Sequence, residues 1–413
     1  MSKTTQQTLA CEPYAETPMA RQAAMIPHAP STRGMDEQYA TSNQKLRPLL
    51  KWPGGKDKEI RHILPAAPDF EDYYEPFVGG GSVFAAFQAR RYFINDKSQE
   101  LIRLYQYIAL SDQTFFAWAD AINQSWQHML ALASKQETLA DLYLRLNHGI
   151  LNEASLTQEL QARIHLEHGA IMGCLPSSFR WRREEVTTIL CDTLRRKMLR
   201  MRKVEGERGT MPLTDIMDNI VATHMGTLYT YFRSLYNDRA ALACPPLATA
   251  LFLFLRHYAY SGMFRYNDDG EFNVPYGGLS YNRKTLSNAL DYYRSPALRQ
   301  RMRHTTVRCM DFEAFLGMHQ PSARDFVFLD PPYDSEFSTY AQNSFTLNDH
   351  DRLARYLLHE CKARWMLVIK ATPHILNLYQ GRGLSIKTFE KTYQVSFMNR
   401  NNKSATHLMV TNY

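Results

Sequence analysis

The chain has no Cys-x-x-Cys pair, so it lacks the spacing of a zinc ribbon or a dithiol redox motif. Its six cysteines, Cys11, Cys174, Cys191, Cys244, Cys309 and Cys361, are scattered. Reduced thiols are expected, with no metal site and no disulfide framework. No apolar run is long enough to span a bilayer, and the first residues lack the apolar core of a secretory signal. A cytoplasmic protein with no membrane partner is therefore expected. The phosphate-loop spacing G-x-x-x-x-G-K-[ST] is also missing, which disfavours nucleoside triphosphate hydrolysis. Residues 1–44 have no sustained hydrophobic period and are rich in Thr, Gln, Ala, Pro and Ser, so they read as a disordered tail.

What is present is ordinary globular material. The 413 residues are 45% hydrophobic and 22% charged, enough for two or three domains with real cores. A net charge of +7 permits a polyanionic partner without demanding one.

The most informative stretch is Asp330-Pro331-Pro332-Tyr333, at the end of the apolar run Phe326-Val327-Phe328-Leu329. Such a run reads as a buried strand that the prolines terminate, because neither can donate to a ladder. The carboxylate is then presented at the carboxyl end of a strand, where open α/β sheets place their ligands. A carboxylate and a fixed carbonyl can accept the two hydrogens of an exocyclic amine, and the tyrosine ring can stack on a planar base. Taken alone, the tetrapeptide is equally a strand-end turn with a helix-capping aspartate.

Upstream, Lys51-Trp52-Pro53-Gly54-Gly55-Lys56 forms a turn with Lys56 at the start of a helix. Next, Tyr73 to Phe84 reads as strand, glycine turn and helix, with Phe77, Gly79, Gly81 and Ser82 at the turn. Glycines there let the backbone approach a cofactor, and a helix start offers free N–H donors. The strand Tyr92-Phe93-Ile94 ends in Asn95-Asp96, and an acid at that point of a Rossmann-like unit commonly holds ribose hydroxyls. Asp96 is also a natural helix cap for 97–108. A strand at 306–310 ends at Asp311-Phe312, and further strands are expected at 365–369, 388–395 and 407–411.

Between about 112 and 247 the pattern is helical, with apolar positions at three- and four-residue spacing. From Arg180 to Lys203 it turns basic, including Arg182, Arg183, Arg195, Arg196, Lys197, Arg200, Arg202 and Lys203. Such a run is either a solvated helix face or a phosphate contact. A loop at 261–278 follows the helix 247–260. It carries Arg265, Tyr266, Asn267 and Asn273 around an Asp-Gly turn and reads as a binding loop.

Together these stretches resemble the alpha-class, Dam-like (D12) DNA adenine N6-methyltransferases. The matching residues stand in that family's order: 51–56, 75–84, Asn95-Asp96, 265–277 and Asp330 to Tyr333, with a similar closing strand from His407 to Tyr413. Residues 112–246 lie outside the resemblance by these motifs. The resemblance implies a Rossmann-like, S-adenosylmethionine-dependent α/β fold with an inserted, mostly helical DNA-recognition region. The implied organisation is catalytic segments 45–111 and 300–413, with the insert at 112–299. It implies Asp330, Pro331, Pro332 and Tyr333 as the catalytic tetrapeptide. For S-adenosylmethionine it implies Trp52, Lys56, Phe77, Gly79, Gly81, Ser82, Asp96, Asp311, Phe312 and Asp330. For double-stranded DNA it implies the loop with Arg265, Tyr266, Asn267 and Asn273, while Arg195, Arg196, Lys197 and Arg200 are candidates from charge. Asp268 and Asp269 depart from the basic residue of GATC-reading members. The implied reaction is site-specific methylation of adenine N6 without a metal, in a prokaryotic or phage protein. A companion restriction endonuclease or defence system is compatible with it. Methylation of RNA or of cytosine N4 shares the same amine chemistry, and a non-catalytic DNA-binding protein shares the fold.

Overall fold

The structure is a computed structural model that describes residues 46–179, 181–333, 345–392 and 404–413. The 1–44 tail, Arg180 and the end of the strand expected at 388–395 lie outside the described residues. Packing divides the described chain into two compact units, 112–291 and the pair of segments 44–111 with 292–413.

The discontinuous unit is built on a seven-stranded sheet: β1 Asp72–Glu75, β2 Arg91–Asn95, β3 Thr305–Arg308, β4 Phe326–Leu329, β5 Arg364–Lys370, β6 Ser385–Thr392 and β7 Ser404–Thr411. Their order is β3-β2-β1-β4-β5-β7-β6. The first five strands in that order run parallel, and β7 pairs antiparallel with both β5 and β6. β1 and β4 are buried at every position, as expected for central strands of a parallel sheet covered on both faces. The chain winds outward from β1 through β2 to β3, then crosses to β4. The switch point therefore falls between β1 and β4, and ligands of open α/β sheets bind beyond the strand ends at such a point. This mixed α/β sheet is consistent with the methyltransferase fold that the resemblance implies.

The boundary expected at 300 lies earlier, at 292. The hydroxyls of Tyr292 and Tyr293 donate to the carbonyls of Arg47 and Leu49, and Arg301 donates to the Phe84 carbonyl with its guanidinium 4.2 Å above the Tyr92 ring. These contacts fasten 292–303 to the sheet unit.

The other unit is helical, with long helices Gln113–Ala133, Glu153–Gly173, Glu185–Arg208 and Leu213–Tyr236. Asp112 caps the first by accepting from the Phe115 N–H at 2.7 Å. Its core holds Trp118, Trp126, Tyr229 and Phe232, with the Trp126 and Tyr258 rings 4.0 Å apart. The expected Asp-Gly turn forms here. Gly270 adopts φ +77°, its N–H reaches the Asn267 carbonyl at 3.0 Å, and Tyr266 bridges Phe272. Among the described cysteines, Cys174, Cys191, Cys309 and Cys361 are free.

Candidate active site

Asp330 follows β4 directly, so its position is inherited from a fully buried strand. Its carboxylate forms an ion pair with the Lys56 ammonium, which is 2% exposed. Lys56 also donates to the Gly54 carbonyl at 3.1 Å and to the Tyr333 hydroxyl at 3.2 Å. Burial of an ammonium is tolerable only with partners of this kind. The turn 52–56 and the tetrapeptide, far apart in sequence, thus form one cluster. The Tyr333 hydroxyl also lies 3.3 Å from Nε2 of His407 on β7, and the two rings meet edge to face at 5.4 Å. Pro331 is buried and Pro332 exposed.

Beside this cluster, the turn after β1 carries Phe77, Gly79, Gly81 and Ser82. Its three glycines are required by protein neighbours. A Cβ on Gly79 would sit 2.8 Å from Trp52, one on Gly80 would strike the Leu50 carbonyl, and one on Gly81 would strike the Tyr105 hydroxyl. Gly81, at φ +83°, is the N-cap of the helix Ser82–Ala86, and Ser82 is buried as its first residue. Asn95 ties the ends of β1, β2 and β3 together. Its side chain donates to the Pro76 and Met310 carbonyls and accepts from the Met310 N–H.

Asp96 accepts from the Gly79 N–H at 3.0 Å and from the Ser98 N–H at 2.9 Å, so it fixes the glycine turn and caps the next helix. Burial raises its pKa, and the backbone bonds offset part of that rise. Asp311 caps the helix Phe312–His319 and receives Arg352 at 2.7 Å. The rings of Phe77, Phe312 and Phe345 stand 5.6–5.7 Å from one another.

Several residues here carry no role in the sequence reading, although Glu75 and His407 fall inside the matching stretches 75–84 and His407 to Tyr413. Glu75 is fully enclosed at the end of β1 and accepts the Tyr73 hydroxyl at 2.8 Å. Burial, together with the charges of Asp330 and Asp96, holds its carboxyl well above the usual range. Tyr105 donates to the Gly79 carbonyl at 3.1 Å. In sequence Glu75 reads only as the polar end of a strand. His407 and Arg352 act through partners too distant in sequence to be paired by spacing.

In the helical unit, the hairpin residues largely shape their own turn. Asn267 accepts from the Glu271 N–H, Asn273 accepts from Arg265, and Tyr266 shares a hydroxyl contact with Tyr236. The side chain of Asn237 donates to the Phe272 carbonyl and accepts from its N–H, which clamps the hairpin to the helices. Of the basic run, Arg182 pairs with Glu185, and Arg183 donates to the Met172 and Leu175 carbonyls. Arg196, Arg200, Arg202 and Lys203 are exposed on the helix Glu185–Arg208, and Arg195 and Lys197 are half-buried.

Comparison with known proteins agrees with this geometry. The family model of the D12 class N6 adenine-specific DNA methyltransferases matches residues 52–171 and 186–395. The match runs through most of 112–246, which the motifs alone had left outside the resemblance. A DNA adenine methylase of Vibrio cholerae is 23% identical over 368 residues, covering 87% of this chain and 94% of the relative. The type II methyltransferase M1.LlaDCHI of Lactococcus lactis is 22% identical over 377 residues, 89% of this chain and 96% of that protein. The type II methyltransferase M.CviBI of Paramecium bursaria Chlorella virus NC1A is 35% identical over 167 residues, but the match spans 39% of this chain and 60% of the viral protein. With its sheet order, its switch-point carboxylate and a family match over most of its length, the chain belongs to the D12 class N6 adenine-specific DNA methyltransferases.

Proposed function

We propose that the protein transfers a methyl group from S-adenosylmethionine to N6 of an adenine extruded from double-stranded DNA, with Asp330 to Tyr333 as the site of transfer. The observation that carries this reading is the Asp330 carboxylate at the end of β4, held by Lys56 at the sheet's switch point. The residues present fit the methyl donor. The Asp96 carboxylate stands at the tip of β2, held by backbone N–H groups of Gly79, Lys97 and Ser98, the place from which an acid of such a sheet holds a ribose diol. The partly buried Phe77 and Phe345 rings, backed by buried Phe312, offer apolar surface to a purine. Asp311 serves that purine less directly, because its carboxylate already receives Arg352. When bound, S-adenosylmethionine supplies an activated sulfonium methyl.

The chain's own work is then positioning. A paired adenine is inaccessible in the stack, so extrusion costs a few kcal/mol, recovered within the pocket. Asp330 accepts a hydrogen of the exocyclic amine, directs its lone pair, and receives the proton the nitrogen sheds as the new N–C bond forms. Tyr333 stacks on the base. In the helical unit, exposed Arg196 and Arg200 meet phosphates, with Arg195 and Lys197 at their flank. The hairpin with Arg265, Tyr266, Asn267 and Asn273 reads the duplex.

Incubation with methyl-labelled S-adenosylmethionine and unmethylated duplex DNA, followed by nucleoside mass spectrometry, is expected to show labelled N6-methyladenine. Label in N4-methylcytosine, label in RNA alone, or no label would each overturn the reading.

A further inference from the structure

We propose that His407 is a positioning residue for Tyr333: it holds the tyrosine hydroxyl, and so fixes the ring against which the target base is placed. This rests on the methyl-transfer reading above.

His407 lies on β7, opposite Lys370 on one side and Phe389 on the other. It is completely buried, although Lys370 and Phe389 beside it are only half-buried. A polar ring in such a place is costly unless its nitrogens are bonded. Its Nε2 lies 3.3 Å from the Tyr333 hydroxyl, its ring meets Tyr333 edge to face at 70°, and the Phe389 ring backs it at 5.8 Å. A strand of a packed sheet therefore presents a fixed polar atom to the tetrapeptide.

Tyr333 needs such a fixed partner. It follows two prolines that have left the β-ladder, so the strand itself does not orient its ring. Lys56 reaches the same hydroxyl at 3.2 Å, with its ammonium 5.5 Å from the ring centroid. The hydroxyl is thus gripped from two directions, by the turn at 52–56 and by β7. Lys56 also holds Asp330, so one connected set of bonds relates the ring that would stack on the base to the carboxylate that would accept its amine. Geometry of this kind is where small displacements cost rate.

The test compares His407→Leu, which fills the space without a polar atom, with His407→Gln, whose amide can either donate or accept. Steady-state methylation of the same unmethylated duplex DNA is measured for each, alone and combined with Tyr333→Phe. His407→Leu is expected to lower kcat about tenfold with KM for DNA nearly unchanged, and His407→Gln to recover most of the loss. The double variant is expected to be no slower than Tyr333→Phe alone, because both changes break the same bond. A purely structural role would instead lower the melting temperature, defeat rescue by glutamine and multiply with Tyr333→Phe. Nitrogen NMR of histidine-labelled full-length protein reads the contact without turnover, and Tyr333→Phe is expected to shift the His407 ring signals. Undiminished kcat in His407→Leu, multiplicative loss in the double variant, or unmoved ring signals would each overturn the proposal. A wild-type protein that transfers no methyl group defeats the reaction assignment instead, and the ring signals still decide the contact.

Discussion

The glycines of the turn after β1 and those inside the long helices sit in opposite surroundings. In the sheet unit, Gly79, Gly80 and Gly81 are each hemmed in by Trp52, Leu50 or Tyr105, so no other residue fits without displacement. In the helical unit, Gly169, Gly173 and Gly206 have nothing within 4 Å of an added Cβ. Polar chemistry divides the same way. Lys56, Asp330, Tyr333, Asn95 and Asp96 each have a fixed partner across a large sequence separation. The cations of the helix Glu185–Arg208 stand mostly in solvent. One unit depends on the placement of single atoms; the other presents charge whose effect is graded and additive.

The largest expected effect is on the placed carboxylate. Asp330→Asn, which keeps an oxygen for the buried Lys56 ammonium, should lower the methylation rate by ~10²–10³, with a smaller loss of melting temperature than Asp330→Ala, which strips Lys56 of its carboxylate. Near-normal turnover would remove Asp330 from the chemistry. Asp96→Ala follows. Loss of a charged acceptor should weaken S-adenosylmethionine binding by roughly 1.5–3 kcal/mol in calorimetry. Unchanged affinity would reduce Asp96 to a brace for Gly79 and a cap for the helix after it.

The helical unit should respond by degrees. Neutralising exposed Arg196, Arg200 and Lys203 together should flatten the salt dependence of duplex binding by roughly 0.9 log units per lost phosphate contact. All sequences should weaken about equally, whereas Asn237→Ala, which frees the hairpin at Phe272, should change which sites in a randomised library are methylated. If the basic helix shifts the motif and the hairpin merely slows every site, the two roles are exchanged. A smaller contrast tests the glycines. Gly80→Ala should cost ~1–3 kcal/mol by overpacking against the Leu50 carbonyl. Gly206→Ala, in the last turn of its helix and in open space, should stabilise by ~0.5 kcal/mol in denaturant titration.

The sheet was legible because its strands are apolar runs cut off by chemistry. Phe326–Leu329 ends in two prolines, and the strand through Ile94 ends in Asn95-Asp96, so both strands and the residues at their tips could be read locally. The helices were legible from their spacing, and the hairpin from Asp269-Gly270. What could not be read was anything made by two distant segments. The Lys56–Asp330 pair, the grip of His407 on Tyr333 and the clamp of Asn237 on Phe272 leave no periodic trace. The glycines at 79–81 were expected to admit a cofactor, and the structure shows that their own protein neighbours already require them. The boundary placed at 300 moved to 292 because aromatic hydroxyls, which carry no boundary signal, tie Tyr292 and Tyr293 back to 47–49. Arg182 and Arg183 belong to the basic run in sequence but are spent on Glu185 and on carbonyls.

The smallest expected effect compares two buried glutamates, one in each unit. Burial and the nearby charges of Asp330 and Asp96 raise the Glu75 pKa, against the bonds from the Tyr73 hydroxyl and the Phe84 N–H that lower it. Its folded pKa is raised, so between the ordinary carboxyl range and that raised value the native state holds a proton the unfolded chain has lost. Stability from this group is therefore present at acid pH and falls as pH rises through that window. Glu75→Gln removes the titration and keeps an oxygen to accept the Tyr73 hydroxyl. Its melting temperature should match wild type below the ordinary carboxyl range and exceed it increasingly as pH rises above that range. Glu205 is bonded differently. One oxygen accepts from the Asn147 amide and the other from the Met211 N–H. Glutamine offers one acceptor where two are needed and turns an N–H₂ toward a donor, so Glu205→Gln should destabilise by ~1–3 kcal/mol. Opposite signs for one isosteric change would show that the sheet unit tolerates a buried carboxyl beside its site at a cost, while the helical unit uses one as a structural acceptor. A destabilised Glu75→Gln at neutral pH would mean that the charged form of Glu75 is the native one.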